Sequence, residues 1–185
     1  INKENYEVLL VRSATKVRKD LIDACPELKI IGRGGVGMDN IDVEYAKEKG
    51  INVINTPAAS SASVAELVFA HLFGMVRFLF DSNRQMPLSG DSDFKNLKKS
   101  YARGKELAGK TLGIIGFGRI GQEVAKRAIA LGMKVRAHDK FINESTITIS
   151  FFDNQKINFE IKTTSIESVL SESDFITFHI PKTQE

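Results

Sequence analysis

Three glycines and an acid carry the first chemical signal in this chain. Gly116, Gly118 and Gly121 stand as G-x-G-x-x-G inside "TLGIIGFGRIGQEVAKRAIALGMKVRAHD", and Asp139 closes that stretch 18 positions after Gly121. Gly116 permits a tight turn, Gly118 lets backbone approach a pyrophosphate, and Gly121 lets a helix pack closely on a strand. The N–H groups of Arg119 and Ile120 then open a helix whose positive dipole end faces the phosphates. A carboxylate at Asp139 accepts hydrogen bonds from both ribose hydroxyls of an adenosine and repels a 2′-phosphate. NAD is therefore expected over NADP. Arg136 and Lys140 flank the acid and are the residues that would help an extra phosphate.

A second glycine-rich turn, "GRGGVG", spans residues 32–37. Successive N–H groups in such a turn form a concavity for an anion. Arg12 follows the apolar run "EVLLV" and offers a planar fork suited to phosphate. Arg33, beside the glycines, reads as a scaffold or surface residue. None of the three histidines is assigned catalysis. His71 sits in an apolar helical run and reads as a packed core residue. His138 precedes the ribose acid and is expected on the other side of its strand.

The elements that must position these groups alternate. "YEVLLV", "LKIIG" and "INVINT" read as strands, separated by helical stretches at "KVRKDLIDAC" and "VEYAKEKG". Asp42 is expected to cap the second helix and Gly50 to stop it. Strands and helices in this alternation imply right-handed βαβ units and a parallel sheet. "SSASVAELVFAHLFGMVRFLFDSN" reads as a long helix capped at Ser61 or Ser63, with Glu66 completing an S-x-x-E box from Ser63. Its apolar residues cover most of its circumference, which predicts burial on several sides. Pro87 and Gly90 are expected to break it, and "KNLKKSYARGKELAGK" to form a basic, solvated connector. From Thr111 a second unit begins: strand, helix, strand "KVRAHD", a β-hairpin around "DNQ", the short helix "SIESVLSES" and the buried strand "DFITFHIP".

Composition excludes more than it assigns. The 185 residues carry a formal net charge of +3, too little to argue for nucleic acid. Cys25 is the sole cysteine, so no disulfide forms within the chain, which fits a reducing cytoplasm. There is no apolar run long enough to span a bilayer. "INKENYEVLLV" lacks a signal-peptide layout, and its first residue is not Met. A cytoplasmic protein with neither a nucleic-acid nor a membrane partner is expected.

Taken together, the blocks "VRSATKV", "GRGGVGMDNIDVEYAKEKGINVINTP", "SVAEL", "ELAGKTLGIIGFGRIGQEVAKR" and "DFITFHIPKT" resemble, in this order, the D-isomer-specific 2-hydroxyacid dehydrogenases. The likeness is strongest to members acting on 3-phosphoglycerate. The resemblance implies an α/β fold of two Rossmann-like or flavodoxin-like parallel-sheet domains with a cleft between them, both incomplete here. Residues 1–100 would form the substrate domain and residues 101–185 the first half of the nucleotide domain. Arg12 and Ser13 would face the substrate, and the backbone of Gly35, Val36 and Gly37 would hold its carboxylate, with Val36 also near the nicotinamide. Arg119, Ile120, Asp139 and Ile180 match positions that contact NAD, with His179 and Pro181 beside them near the adenosine end. Ser60 stands where many relatives have Asn, and the hairpin after Lys140 replaces what is often a shorter loop.

The family's catalytic arginine, acid and histidine would lie beyond Glu185, so no catalytic residue is assigned. The implied reaction is oxidation of a small phosphorylated hydroxy acid, 3-phosphoglycerate, at C2, the entry to serine. The alternatives are a glyoxylate or hydroxypyruvate reductase and, in another class, an NAD-binding corepressor of the C-terminal-binding-protein type. The resemblance also implies a homodimer or larger assembly, with the long helix near the interface.

Overall fold

The computed structural model describes residues 4–181, so Lys182 and Thr183, which end the block "DFITFHIPKT", lie outside the described residues. The chain resolves into two compact units, Ile1–Ser61 and Ala62–Glu185. The second unit thus takes in the three helices that precede Thr111, which a division at residue 100 gives to the first.

In the first unit, β1 (Val8–Val11), β2 (Ile30–Arg33) and β3 (Asn52–Asn55) form a parallel sheet in that order. Val11 pairs with Arg33 and Arg33 with Asn55, so the three strands end level. The connecting helices are short, α1 (Lys19–Asp23) and α2 (Val43–Glu48). Their branched residues and those of the strands close one core, with Val17, Ile31 and Ala46 fully excluded from water. Gly50 stops α2 at φ +76°, as its type requires. Asp42 stands at the N-cap of α2, but its side chain caps nothing there. The carboxylate is held instead by Arg18 at 2.8 Å, because a charged partner outcompetes a backbone N–H.

The second unit begins with α3 (Ser61–Val76), α4 (Leu79–Ser89) and α5 (Phe94–Tyr101). Then β4 (Thr111–Ile115), α6 (Arg119–Ala130) and β5 (Lys134–His138) form a βαβ unit. The hairpin β6 (Glu144–Ser150) and β7 (Lys156–Lys162), α7 (Ile166–Glu172) and β8 (Phe175–Phe178) complete it. The sheet is parallel in the order β5-β4-β8. Its middle strand, β4, is buried from Leu112 to Ile115, which explains its unbroken apolar run. Ala65, Phe69, Leu72 and Val76 of α3 share a core with Leu112, Val124, Ala128 and Ile147. The hairpin is joined to β5 by a bridge between Ala137 and Thr163.

Five expectations fail around the long helix. It starts at Ser61, so Ser63 lies inside it and no capping box forms. Glu66 pairs with Arg127 of α6 at 3.0 Å. The break falls before Pro87, at Phe78, whose left-handed φ of 56° bends α3 from α4 by 56°. Tertiary contacts hold that bend: the Phe78 and Tyr101 rings stand 6.2 Å apart, and the Tyr101 hydroxyl donates to Asp81 at 2.8 Å. Pro87 lies inside α4, near its end, where it removes one helical N–H donor without ending the helix. The basic connector contains a helix, α5, though none of its residues is buried. Burial of α3 is confined to one stripe, and Leu67 and Met75 on its outer side are exposed. His71 is exposed with them, so it is not a core residue. Among the described residues, no single helix is long and apolar enough to cross a membrane.

Candidate functional site

The three glycines of the βα turn are explained by three different surroundings. Gly116 has φ +94°, and a Cβ there would lie 2.6 Å from the carbonyl oxygen of His179. A Cβ on Gly121 would stand 2.2 Å from the Gly116 carbonyl oxygen, so only glycine lets α6 sit this close to β4. Gly118 is the informative one. It has φ −72° and serves as the N-cap of α6, and nothing lies within 4 Å of the position its Cβ would take. Neither backbone strain nor packing requires a glycine at that point. The open space lies in front of the helix that Arg119 and Ile120 begin, which is where an anion finds free N–H groups and a positive dipole.

Asp139 follows β5 beside this turn. One carboxylate oxygen accepts from the Phe117 N–H at 2.7 Å, and the other from Phe141 at 2.8 Å and Ile142 at 3.1 Å. Burial works against the charge, but these three N–H groups outweigh it and hold the carboxyl below its ordinary range. The acid is therefore ionised at neutral pH and also closes the turn after β5. A carboxylate has about four acceptor directions, so roughly one remains for an incoming hydroxyl. Arg136 pairs with Glu172 on the surface. Lys140 is exposed.

The end of β8 meets the same turn. The His179 N–H donates to Ile115, and the Ile180 side chain lies 2.7 Å from where a Cβ on Gly116 would be. His179 has its Nε2 3.0 Å from the Thr177 hydroxyl oxygen, and burial pushes its pKa down, so the ring is neutral. Pro181 follows and is exposed. His138 turns its Nδ1 toward the Thr164 carbonyl at 2.8 Å, away from any candidate role. Gly116, Gly118, Gly121, Asp139, His179 and Ile180 thus converge on one turn, while Arg119 is exposed at the first turn of α6.

The first unit carries a pocket of 580 Å³ at the carboxyl ends of its strands, where parallel sheets present ligand-facing residues. Arg12, Thr15, Arg33, Gly34, Asn55 and Thr56 supply its polar lining. Ser13 is exposed on the same loop but outside that lining. Gly35, with φ +154°, spends its N–H on the Thr56 hydroxyl at 2.9 Å. The Asn55 amide donates to the Val36 carbonyl at 2.7 Å. The N–H groups of Val36 and Gly37 donate to nothing among the described residues. Of the three N–H groups expected to hold a carboxylate, that of Gly35 is thus already spent, and those of Val36 and Gly37 are not.

One residue near this pocket escaped the sequence reading, and another, Arg33, was read only as scaffold or surface. Asn40, 5% exposed, donates from its amide to the carbonyls of Arg12 at 3.1 Å and Thr15 at 2.7 Å, fixing the loop that carries Arg12. The signal for it was a polar residue between the apolar Met38 and Ile41. Arg33 lines the pocket, and its buried Nε has no partner. No sequence signal marks that.

A sequence profile of the D-isomer specific 2-hydroxyacid dehydrogenase catalytic domain matches residues 2–177. The chain is 47% identical over 178 residues to a hydroxypyruvate reductase of Thermotoga maritima, covering 96% of this chain and 52% of that protein. It is 44% identical over 180 residues to a D-3-phosphoglycerate dehydrogenase of Methanocaldococcus jannaschii, covering 97% of this chain and 32% of the relative. The chain thus spans about half of one relative's length and a third of the other's. In structure it is similar to a D-lactate dehydrogenase of Aquifex aeolicus solved with NAD and lactic acid. There the TM-score is 0.69 at 33% identity, over 100% of this chain and 51% of that one.

Proposed function

The chain belongs to the D-isomer specific 2-hydroxyacid dehydrogenase family, and on that premise we propose that the protein is an NAD-dependent oxidoreductase converting 3-phosphoglycerate to 3-phosphohydroxypyruvate. The observation that carries the substrate reading is the first unit's pocket, lined by two arginines and no acid, on the chain segment that continues into the unpartnered N–H groups of Val36 and Gly37. Those N–H groups bind the carboxylate, and Arg12 takes the phosphate with its fork. NAD fits the second unit: the open space at Gly118 admits a pyrophosphate, the first N–H groups of α6 bind it, and Asp139 holds the ribose. NAD, when bound, accepts the hydride leaving C2 of the acid. No described histidine lines the substrate pocket, so none receives the proton-transfer step.

The expected result for Arg12→Ala in the full-length protein is a KM for 3-phosphoglycerate raised about ten- to a hundredfold, from roughly 1.5–3 kcal/mol of lost charge-assisted binding. Affinity for NADH should hold, because the second unit binds it. An unchanged KM removes the phosphate from the reading. A second reading, reduction of hydroxypyruvate, is favoured by the 47% identity to the Thermotoga maritima enzyme. It is chosen if Arg12→Ala leaves turnover of hydroxypyruvate intact and 3-phosphoglycerate is not oxidised by the unmutated protein.

Asp139 sets the cofactor preference. Replacing it with Ala should bring the Kd values of NADPH and NADH within a few fold of each other, measured by fluorescence titration. The ratio is the useful quantity, because the variant also loosens the turn held by Phe117, Phe141 and Ile142, and that loss cancels between the cofactors. Tighter NADPH than NADH binding by the unmutated protein would overturn the assignment. The homodimer implied by the resemblance is part of this proposal, and the exposed Leu67 and Met75 on α3 support it.

A further inference from the structure

Four arginines of this chain are half-buried: Arg18, Arg33, Arg127 and Arg136. Three have carboxylate partners, namely Asp42 for Arg18, Glu123 and Glu66 for Arg127, and Glu172 for Arg136. Arg33 has none among the described residues, and its Nε is buried without any hydrogen-bond partner. Arg33 also lines the open pocket of the first unit, so its charge is placed to meet an anion entering there. Its surroundings say where that anion sits. The Arg33 Nη1 lies 2.7 Å from where a Cβ on Gly35 would stand and 3.8 Å from that of Gly37. It therefore underlies the turn on both sides of Val36. The two N–H groups without partners, on Val36 and Gly37, belong to the same turn. Asp39 places Oδ1 3.1 Å from the Gly37 Cβ position, so an acid also stands at this turn.

We propose that Arg33 is the positioning residue for the substrate's carboxylate. Its guanidinium braces the glycine turn so that the Val36 and Gly37 N–H groups converge, and it gives that turn the positive charge a carboxylate requires. Arg12 and Arg33 then divide the work. Arg33 serves the carboxylate that every 2-hydroxy acid carries, and Arg12 serves a second anionic group at the far end. The assignment rests on the dehydrogenase reading above, but not on the phosphate. Gly35 itself is favoured at this point by its φ of +154°, a conformation that side-chain-bearing residues rarely adopt.

The test uses the full-length protein with two probes that share a carboxylate end and differ in the phosphate, 3-phosphohydroxypyruvate and hydroxypyruvate. Arg33→Met should raise KM for both by a similar factor, about ten- to a hundredfold. The Kd for NADH should stay unchanged. Arg33→Lys keeps the charge and loses the planar fork, so its KM should fall between the two. Arg12→Ala should raise KM for the phosphorylated probe alone. KM values within twofold of the unmutated protein for Arg33→Met overturn the proposal. So does a parallel loss of KM and NADH affinity with a lower melting temperature that Arg33→Lys fails to rescue, because that marks a brace for the fold only. If Arg33→Met does not fold, Arg33→Lys decides: a raised KM at intact NADH affinity supports the proposal, and an unchanged KM overturns it. If only hydroxypyruvate is turned over, the phosphorylated substrate is wrong, and the Arg33 effect on hydroxypyruvate still tests the carboxylate role by itself.

Discussion

Gly118→Val should leave the protein folded and weaken its binding of NADH by at least about a hundredfold. The position tolerates a side chain as far as the protein is concerned. Its φ of −72° is ordinary for any residue, and no atom stands within 4 Å of the new Cβ. The cost to stability is that of a poor N-cap, about 1 kcal/mol, or a few degrees in melting temperature. The cost to binding is larger, because two methyl groups would fill the approach to the N–H groups that open α6. Losing two charge-assisted contacts, each worth roughly 1.5–3 kcal/mol, removes two or more decades of affinity. Calorimetric titration with NADH, with circular dichroism melting as control, measures both numbers. Unchanged affinity would mean that this glycine serves no dinucleotide.

The parts of the fold legible in the sequence are those whose cause is local. The β4-α6-β5 unit is one: an apolar run, three glycines and an amphipathic helix each force their conformation within a few residues. The structural reason expected for Gly121 is seen in the 2.2 Å its Cβ would leave to the Gly116 carbonyl oxygen, and Gly116 has the φ of +94° that a tight glycine turn requires. The hairpin around Asn154, which has φ +67°, is another. What escaped depends on distant partners. The bend at Phe78 is held by Tyr101 and Asp81, and nothing near Phe78 in sequence announces it. Asp42 and Glu66 have cap-forming types at cap-forming positions, yet arginines elsewhere take both carboxylates. His71 was misjudged because an apolar helical pattern does not say which of its faces a core will cover.

The site divides along the same line. Glycine turns are visible because they announce a backbone need, and Asp139 because its distance from the glycines is set by one helix and one strand. Which N–H groups of the first unit's glycine turn are already spent was not visible. Gly35 gives its N–H to Thr56, and that could be known only once β3 lay beside β2. Arg33 is a charge without a partner, and a missing partner is a property of the folded chain.

Gly121→Val should be the opposite variant, with its loss in stability first. Gly121 is the third residue of α6 and is fully enclosed. A Cβ there would meet the Gly116 carbonyl oxygen at 2.2 Å and the Ile114 Cγ2 at 3.2 Å. The first neighbour is backbone and cannot rotate aside, so the helix must withdraw from the strand. That movement opens the contact between α6, through Val124, Ala125 and Ala128, and the central strand β4, which together make up much of the second unit's core. Overpacking of this kind costs about 1–3 kcal/mol and occasionally more, and a branched residue adds a further fraction through its helix propensity. For a chain of this size that lowers the melting temperature by roughly 2–4 °C per kcal/mol. Gly121→Ala is the graded control, since it adds only the Cβ and regains about 1 kcal/mol of helix propensity. Denaturant midpoints should therefore fall in the order unmutated, Ala, Val. A Val variant as stable as the unmutated protein would show that α6 does not need this close approach. The contrast with Gly118→Val, stable but unable to bind, separates a glycine kept for the fold from one kept for the ligand.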